Sequence, residues 1–220
     1  MDESLENLLQ QGHIWKATQE TGATVPVIPT GFAELDARLP GGGWPQGALT
    51  ELLLEQHGLG ELALLLPALV QLCQAGERER APRWVCWVAP PFMPYAPALA
   101  AHGLPPERML VVHPQRGARA RIEERLWAAE QALHSGQCCA VLVWANQVAV
   151  ADQRLRRLQL AAESSGAWAI VFRHGSAAAL PSPAALRLQL CADGLTILKC
   201  RGGGRSSRIS LPLWPPGHAE

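Results

Sequence analysis

The chain has 220 residues, 48 % of them hydrophobic and 17 % charged, which supplies a packed core and excludes wholesale disorder. Nineteen acidic side chains balance nineteen basic ones, so there is no net positive field to capture DNA or an anionic membrane through phosphate charge. Met1-Asp2-Glu3 opens no basic-then-apolar leader, and no apolar run approaches the ~20 residues of a membrane span; a cytoplasmic location without membrane contact is expected.

In chain order, Glu3 to Gln19 has the spacing of an amphipathic helix. Thr21 to Pro29 follows as a linker, because Gly22, Pro26 and Pro29 are too close together for a helix or a central strand. Leu8, Leu9, Ile14 and Trp15 are many anchors for so short a helix. They are candidate partner contacts, the alternative being that the helix packs back on its own domain. The organisation expected is a helix (1–20), a linker (21–29), one α/β domain (30–214) and a tail (215–220).

Within the domain, strands apolar at nearly every position alternate with helices. The expected strands are Ala48–Leu54, Trp84–Ala89, Met109–Val112, Ala140–Trp144 and Ala167–Phe172. Between and before them lie helices Phe32–Leu39, Gly60–Gln74, Ala96–Ala101, Ala118–Leu133 and Asp152–Ser164, with Pro67 bending the second or ending its first half. This pattern indicates a mostly parallel sheet flanked by helices on both faces. Leu186–Leu190, Leu195–Cys200 and Arg208–Leu213 are spaced closely enough to extend that sheet as a C-terminal antiparallel hairpin.

The turn after the first of these strands is placed where a phosphate-binding loop would stand. Such a loop needs G-x-x-x-x-G-K-[ST]: glycines whose N–H groups wrap phosphate, a lysine on the β/γ oxygens and a hydroxyl on magnesium. Aligned on Gly60, Glu55 replaces the first glycine, Glu61 the lysine and Leu62 the hydroxyl. An aspartate should also end an apolar strand to hold magnesium, yet Ala140-Val141-Leu142-Val143-Trp144-Ala145-Asn146 offers only an amide. The expectation is a degenerate P-loop with no nucleotide, no cofactor and no catalysis. The six cysteines form no C-x-x-C pair and have no histidine at ligand spacing, so buried reduced thiols are expected rather than a metal site. His113 and His174 follow strand ends, where open α/β sheets bind ligands, but no nucleophile elbow accompanies them. Arginines cluster at 116–125, 154–157 and 201–208. Arg201, Arg205 and Arg208, around a glycine-rich hairpin tip, are the candidate contacts to nucleic acid held by a partner or to an acidic protein surface; the others suit solvated faces.

The run Pro29-Thr30-Gly31-Phe32-x-x-Leu35-Asp36-x-x-Leu39-Pro40-Gly41-Gly42-Gly43-Trp44-Pro45-x-Gly47-x-Leu49-x-Glu51-Leu52 opens like a RecA-type core. It resembles the bacterial ImuA family of translesion-synthesis proteins. Leu8-Leu9, Ile14-Trp15-Lys16 and Leu195 to Gly202 are similar to that family as well. The resemblance implies a RecA-like domain without ATP chemistry, acting as an adaptor in the SOS response. Its partners would be ImuB, a Y-family polymerase relative, an error-prone DNA polymerase and RecA, with DNA contacted indirectly. The segments Leu49–Leu52, Leu64–Leu69, Arg83-Trp84 and Gly103-Leu104-Pro105 also resemble SulA, the SOS inhibitor of cell division. That alternative implies binding to the tubulin-like protein FtsZ. The Thr30–Gly47 opening and the Lys199–Arg208 hairpin favour the first resemblance over the second.

Overall fold

A computed structural model describes residues 26–78, 83–114, 122–145, 150–192, 194–201 and 207–211. Leu8, Leu9, Ile14, Trp15 and Arg205 lie outside the described residues.

The opening motif folds as a tight lead-in. Thr30 N–H donates to Asp36 Oδ1 at 2.9 Å, and Thr30 Oγ accepts from Phe32 N–H at 3.0 Å, so the two polar residues of T-G-F-x-x-L-D close a turn around helix α1 (Ala33–Asp36). Within the stretch expected as linker, strand β1 (Val27–Ile28) pairs antiparallel with β2 (Trp44–Pro45), and Ile28 is buried. Gly43 is required here by space: a Cβ on it would stand 2.3 Å from the Ile28 carbonyl oxygen.

The main sheet contains β3 (Leu49–Leu54), β4 (Trp84–Val88), β5 (Met109–Val112), β6 (Cys138–Trp144), β7 (Trp168–His174), β8 (Leu186–Cys191), β9 (Gly194–Cys200) and β10 (Ser207–Ile209). Its order is β10-β9-β8-β3-β7-β6-β4-β5. Strands β5 to β8 in that row are parallel, and β9 runs antiparallel to both β8 and β10. The expected hairpin is therefore present, and β8 joins it to the parallel sheet beside β3. The continuous apolar runs follow from burial on both faces.

One face is covered by α2 (Glu61–Arg78) and, through Leu99, by α3 (Ala96–Ala101). The other is covered by α4 (Ile122–His134) and α5 (Asp152–Ser165). Pro67 does not end α2, which runs unbroken from Glu61 to Arg78. The proline removes one backbone bond, but Leu64, Leu65, Ala68 and Leu69 around it are all fully buried, and that packing holds the helix together. Aromatic rings knit the α2 face. Trp87 stacks on Trp144 at 5.7 Å, Trp144 on Phe172 at 4.4 Å, and Trp44 tilts against Trp168 at 5.2 Å. Trp168 Nε1–H finds Thr50 Oγ at 3.0 Å.

Three charged residues interrupt the apolar strands and meet inside. Glu51 on β3 is fully buried, and its Oε1 accepts from Arg173 Nη1 of β7 at 2.7 Å. Its Oε2 accepts from Arg187 Nε of β8, while Arg187 Nη1 and Nη2 donate to the carbonyls of Leu180 and Ala177 at 2.9 and 2.7 Å. One carboxylate thus ties the first strand of the sheet to both its neighbours. Replacing it by an amide leaves two buried guanidinium groups without a counter-charge, and breaking a buried pair in this way costs about 3–5 kcal/mol. Glu51→Gln is expected to lower the unfolding free energy measured by urea titration by that amount and the melting temperature by about 10 °C.

Candidate functional site

The carboxyl ends of parallel strands are where open α/β sheets expose backbone and loops to ligands. Here that edge is built from the turn after β3, the loop after β4 and the turn after β7.

The turn after β3 turns in on itself. Gly58 has φ 86°, a left-handed conformation that glycine adopts without a Cβ penalty. Its N–H points at the start of α2, where Glu61 Oε1 and Oε2 accept it at 2.9 and 3.1 Å. His57 Nδ1 stands 3.9 Å from the same carboxylate, and Glu61 is buried. A loop amide of the kind that would cradle a phosphate is therefore occupied by the chain's own carboxylate. Both carboxylate oxygens of Glu61 fill the space in front of this amide. Leu62 packs against the core, and Glu55 turns the other way, its Oε2 3.6 Å from His174 Nε2.

His174 also joins Ser176, with Nδ1 and Oγ 2.9 Å apart. Glu55, His174 and Ser176 thus fall in the order of a hydrolytic relay. The geometry favours a cap instead: Ser176 N–H donates to the same Nδ1 at 3.2 Å, at the start of the 3-10 turn Gly175–Ala179. Glu55 and His174 are widely exposed, with nothing to desolvate a reacting group. His113 is exposed beyond β5.

At the end of β6, Trp144 is locked in the aromatic stack, and its carbonyl accepts from Arg125 Nη1 at 3.1 Å. Arg125, expected on a solvated face, is half-buried because α4 carries it over this strand end. Arg157 pairs with the buried Glu130 at 2.7 Å, linking α5 to α4. Arg201 is exposed and meets Glu163 at 3.2 Å, and Arg208 is exposed on β10. Among the described residues, no group of three or more His, Cys, Asp or Glu side chains could hold a metal ion, and no helix is long and apolar enough to cross a membrane.

The cysteines sort by strand face. The adjacent Cys138 and Cys139 are both buried and point to opposite layers. Cys139 hydrogen-bonds with Cys73 of α2, and Cys138 with Cys86 of β4. The thiol–thiol bond to Cys138, then burial, pushes the Cys86 thiol well above its ordinary range; the bond to Cys73, then burial, does the same to Cys139.

Among the described residues, the most exposed apolar surface lies on the same edge, in Ala89-Pro90-Pro91-Phe92-Met93-Pro94-Tyr95. Phe92, Met93 and Tyr95 are 74, 71 and 71 % exposed. Phe92 meets the His57 ring edge-on at 6.5 Å, so this loop and the filled turn form one continuous surface. Three prolines fix its backbone φ values. Sequence reasoning passed over these residues, although three large side chains alternating with prolines after a buried strand were a usable signal.

Residues 47–169 match the family model for the cell division inhibitor SulA. The chain belongs to the SulA family. A curated relative, the cell division inhibitor SulA of Edwardsiella piscicida, is 35 % identical over 106 residues, 48 % of this chain and 57 % of that protein. The chain thus spans little more than half the length of the curated relative it matches. The crystal structure of SulA from Pseudomonas aeruginosa is 26 % identical, covering 57 % of this chain and 98 % of that one with a TM-score of 0.43. Of the two family resemblances in the sequence, the family model and the curated relative support the SulA side and lend none to the ImuA side. The SulA region runs through β3, the Glu61-filled turn and the Phe92–Tyr95 loop.

Two outcomes follow for this edge and its thiols. Glu61→Ala frees the exposed Gly58 amide to water and should cost about 1 kcal/mol in urea unfolding, and titration calorimetry with Mg-ATP should give no binding heat before or after the change. Cys86 and Cys139 carry raised values only when folded, so their stabilisation is complete below the free-thiol value of about 8.5 and is lost as pH rises above it. The bond to Cys86 lowers the Cys138 thiol, which works in the opposite direction up to that value, so the net loss in urea unfolding is expected between pH 9 and 10, at about 1 kcal/mol per pH unit per raised thiol, with a shallower slope in Cys86→Ala.

Proposed function

We propose that this protein is a SulA-type inhibitor of cell division in the SOS response, acting by stoichiometric binding to FtsZ rather than by catalysis. The family match over residues 47–169 carries the reading. The exposed Phe92-Met93-Tyr95 loop supports it by supplying a place for the partner. Large aromatic and methionine side chains concentrate binding energy at interfaces, and a proline-held backbone reduces the ordering cost of docking. The adaptor role with ImuB, an error-prone polymerase and RecA gives way to this alternative, because the matched family is the division inhibitor.

We read the domain as a RecA-like core whose phosphate loop has been lost. Support comes from β3 lying inside the sheet, a glycine turn leading directly into α2, and one antiparallel strand among parallel neighbours. Without nucleotide chemistry, such a core retains its capacity to dock on another protein.

Overproduction should make cells filament, and the purified protein should suppress FtsZ sedimentation at near-equal stoichiometry. Phe92→Ser with Tyr95→Ser should weaken FtsZ binding by about 2 kcal/mol or more, roughly thirtyfold, with an unchanged melting temperature because both side chains are exposed. Normal division on overproduction and unaffected FtsZ polymerisation would overturn the proposal; recovery of ImuB in a pull-down from the same cells would restore the adaptor.

A further inference from the structure

At the opposite edge of the sheet, where the parallel strands begin, a cleft of about 470 Å³ opens between α5 and the β8–β9 hairpin. Its wall on α5 is Arg156, Gln159, Leu160 and Glu163; its wall on the hairpin side includes Lys199 and Arg201. Three cations face one carboxylate. Glu163 is already engaged, its Oε1 accepting from Arg201 at 3.2 Å and from Gln159 Nε2 at 2.8 Å. Among the described residues Arg156 makes no ion pair, and Lys199 Nζ reaches only the Ser182 carbonyl, at 2.7 Å. The cleft is therefore net positive. It also has an apolar strip: Leu160 is 58 % exposed beside Pro183, Ala184 and Ala185.

The chain itself contains a segment of the opposite character. Residues 1–15 include Asp2, Glu3 and Glu6 with no lysine or arginine, and Leu5, Leu8 and Leu9 fall at helical spacing among them. The described fold begins beside the cleft. The Pro26 carbonyl accepts from Gln46 N–H at 2.9 Å, and a Cβ on the next residue, Gly47, would stand 3.4 Å from Gly166 Cα at the end of α5. Leu160 lies six residues back along that helix, about 9 Å at 1.5 Å per residue. The intervening residues 10–25 cover that distance several times over when extended.

We propose that the acidic, leucine-bearing N-terminal segment docks intramolecularly in this cleft, its carboxylates on Arg156 and Lys199 and its leucines on the Leu160 strip. This is independent of the division-inhibitor reading, whose surface lies at the other edge. It assigns Leu8 and Leu9 to the protein's own domain rather than to a partner.

Hydrogen–deuterium exchange on the full chain tests it. In the wild type, the peptide covering residues 2–15 should exchange at least tenfold more slowly than the same sequence as a free peptide. Arg156→Glu with Lys199→Glu should abolish that protection without changing the exchange of β3 or β7, and adding Glu3→Lys with Glu6→Lys should restore it. Free-peptide rates in the wild type, or protection untouched by the cleft changes, would overturn the proposal. Protection that grows with protein concentration would place the segment in a second copy's cleft and overturn the intramolecular form.

Discussion

The sheet depends on a single buried carboxylate. β3 has apolar neighbours on both sides, and for apolar strands alone a slip of register changes little in contact chemistry. Glu51 removes that freedom, because only one alignment of β7 and β8 brings both Arg173 and Arg187 to its two oxygens. A buried ion cluster is a poor source of net stability, since desolvation offsets most of the attraction. Its value here lies in discrimination, as any other alignment would strand charge in the core. The same cluster anchors the Gly175–Ala179 turn through Arg187 and so fixes one wall of the carboxyl edge of the sheet.

Alternation of apolar strands with helices was legible in the sequence because two-sided burial writes itself as unbroken hydrophobic runs. Helix Ala96–Ala101 and strand Met109–Val112 have the expected bounds, and the C-terminal hairpin is where spacing put it. Strand pairing order was not legible, since apolar strands carry little information on their neighbours. The clue lay in the exceptions: one acid in Leu-Thr-Glu-Leu-Leu-Leu and one arginine in each of two later strands have to find one another. Of the two outcomes local rules allowed at Pro67, an ended helix is excluded because tertiary packing outweighs the lost backbone bond; the same rules misjudged Arg125, which helix geometry swings over the end of β6.

The functional edge was half legible. That Glu55, Glu61, Leu62 and Asn146 differ from what a phosphate-binding loop and its magnesium ligand would require follows from residue types alone, whereas the inward closure of Glu61 on Gly58 follows only from the fold. Phe92, Met93 and Tyr95 were overlooked because a search organised around catalytic chemistry gives no weight to residues whose only property is apolar exposure. Family resemblance was drawn from the glycine-rich opening, while the stretch that matches the SulA model starts at Gly47, after most of that opening.

Two charges are fixed at the carboxyl edge of the sheet by the chain's own contacts. Glu61 sets a fixed anion on the Gly58 amide, and Arg125 sets a fixed cation on the Trp144 carbonyl at the end of β6. Both charges are tethered to the chain, so their presence at this edge does not depend on the concentration of any ion or ligand.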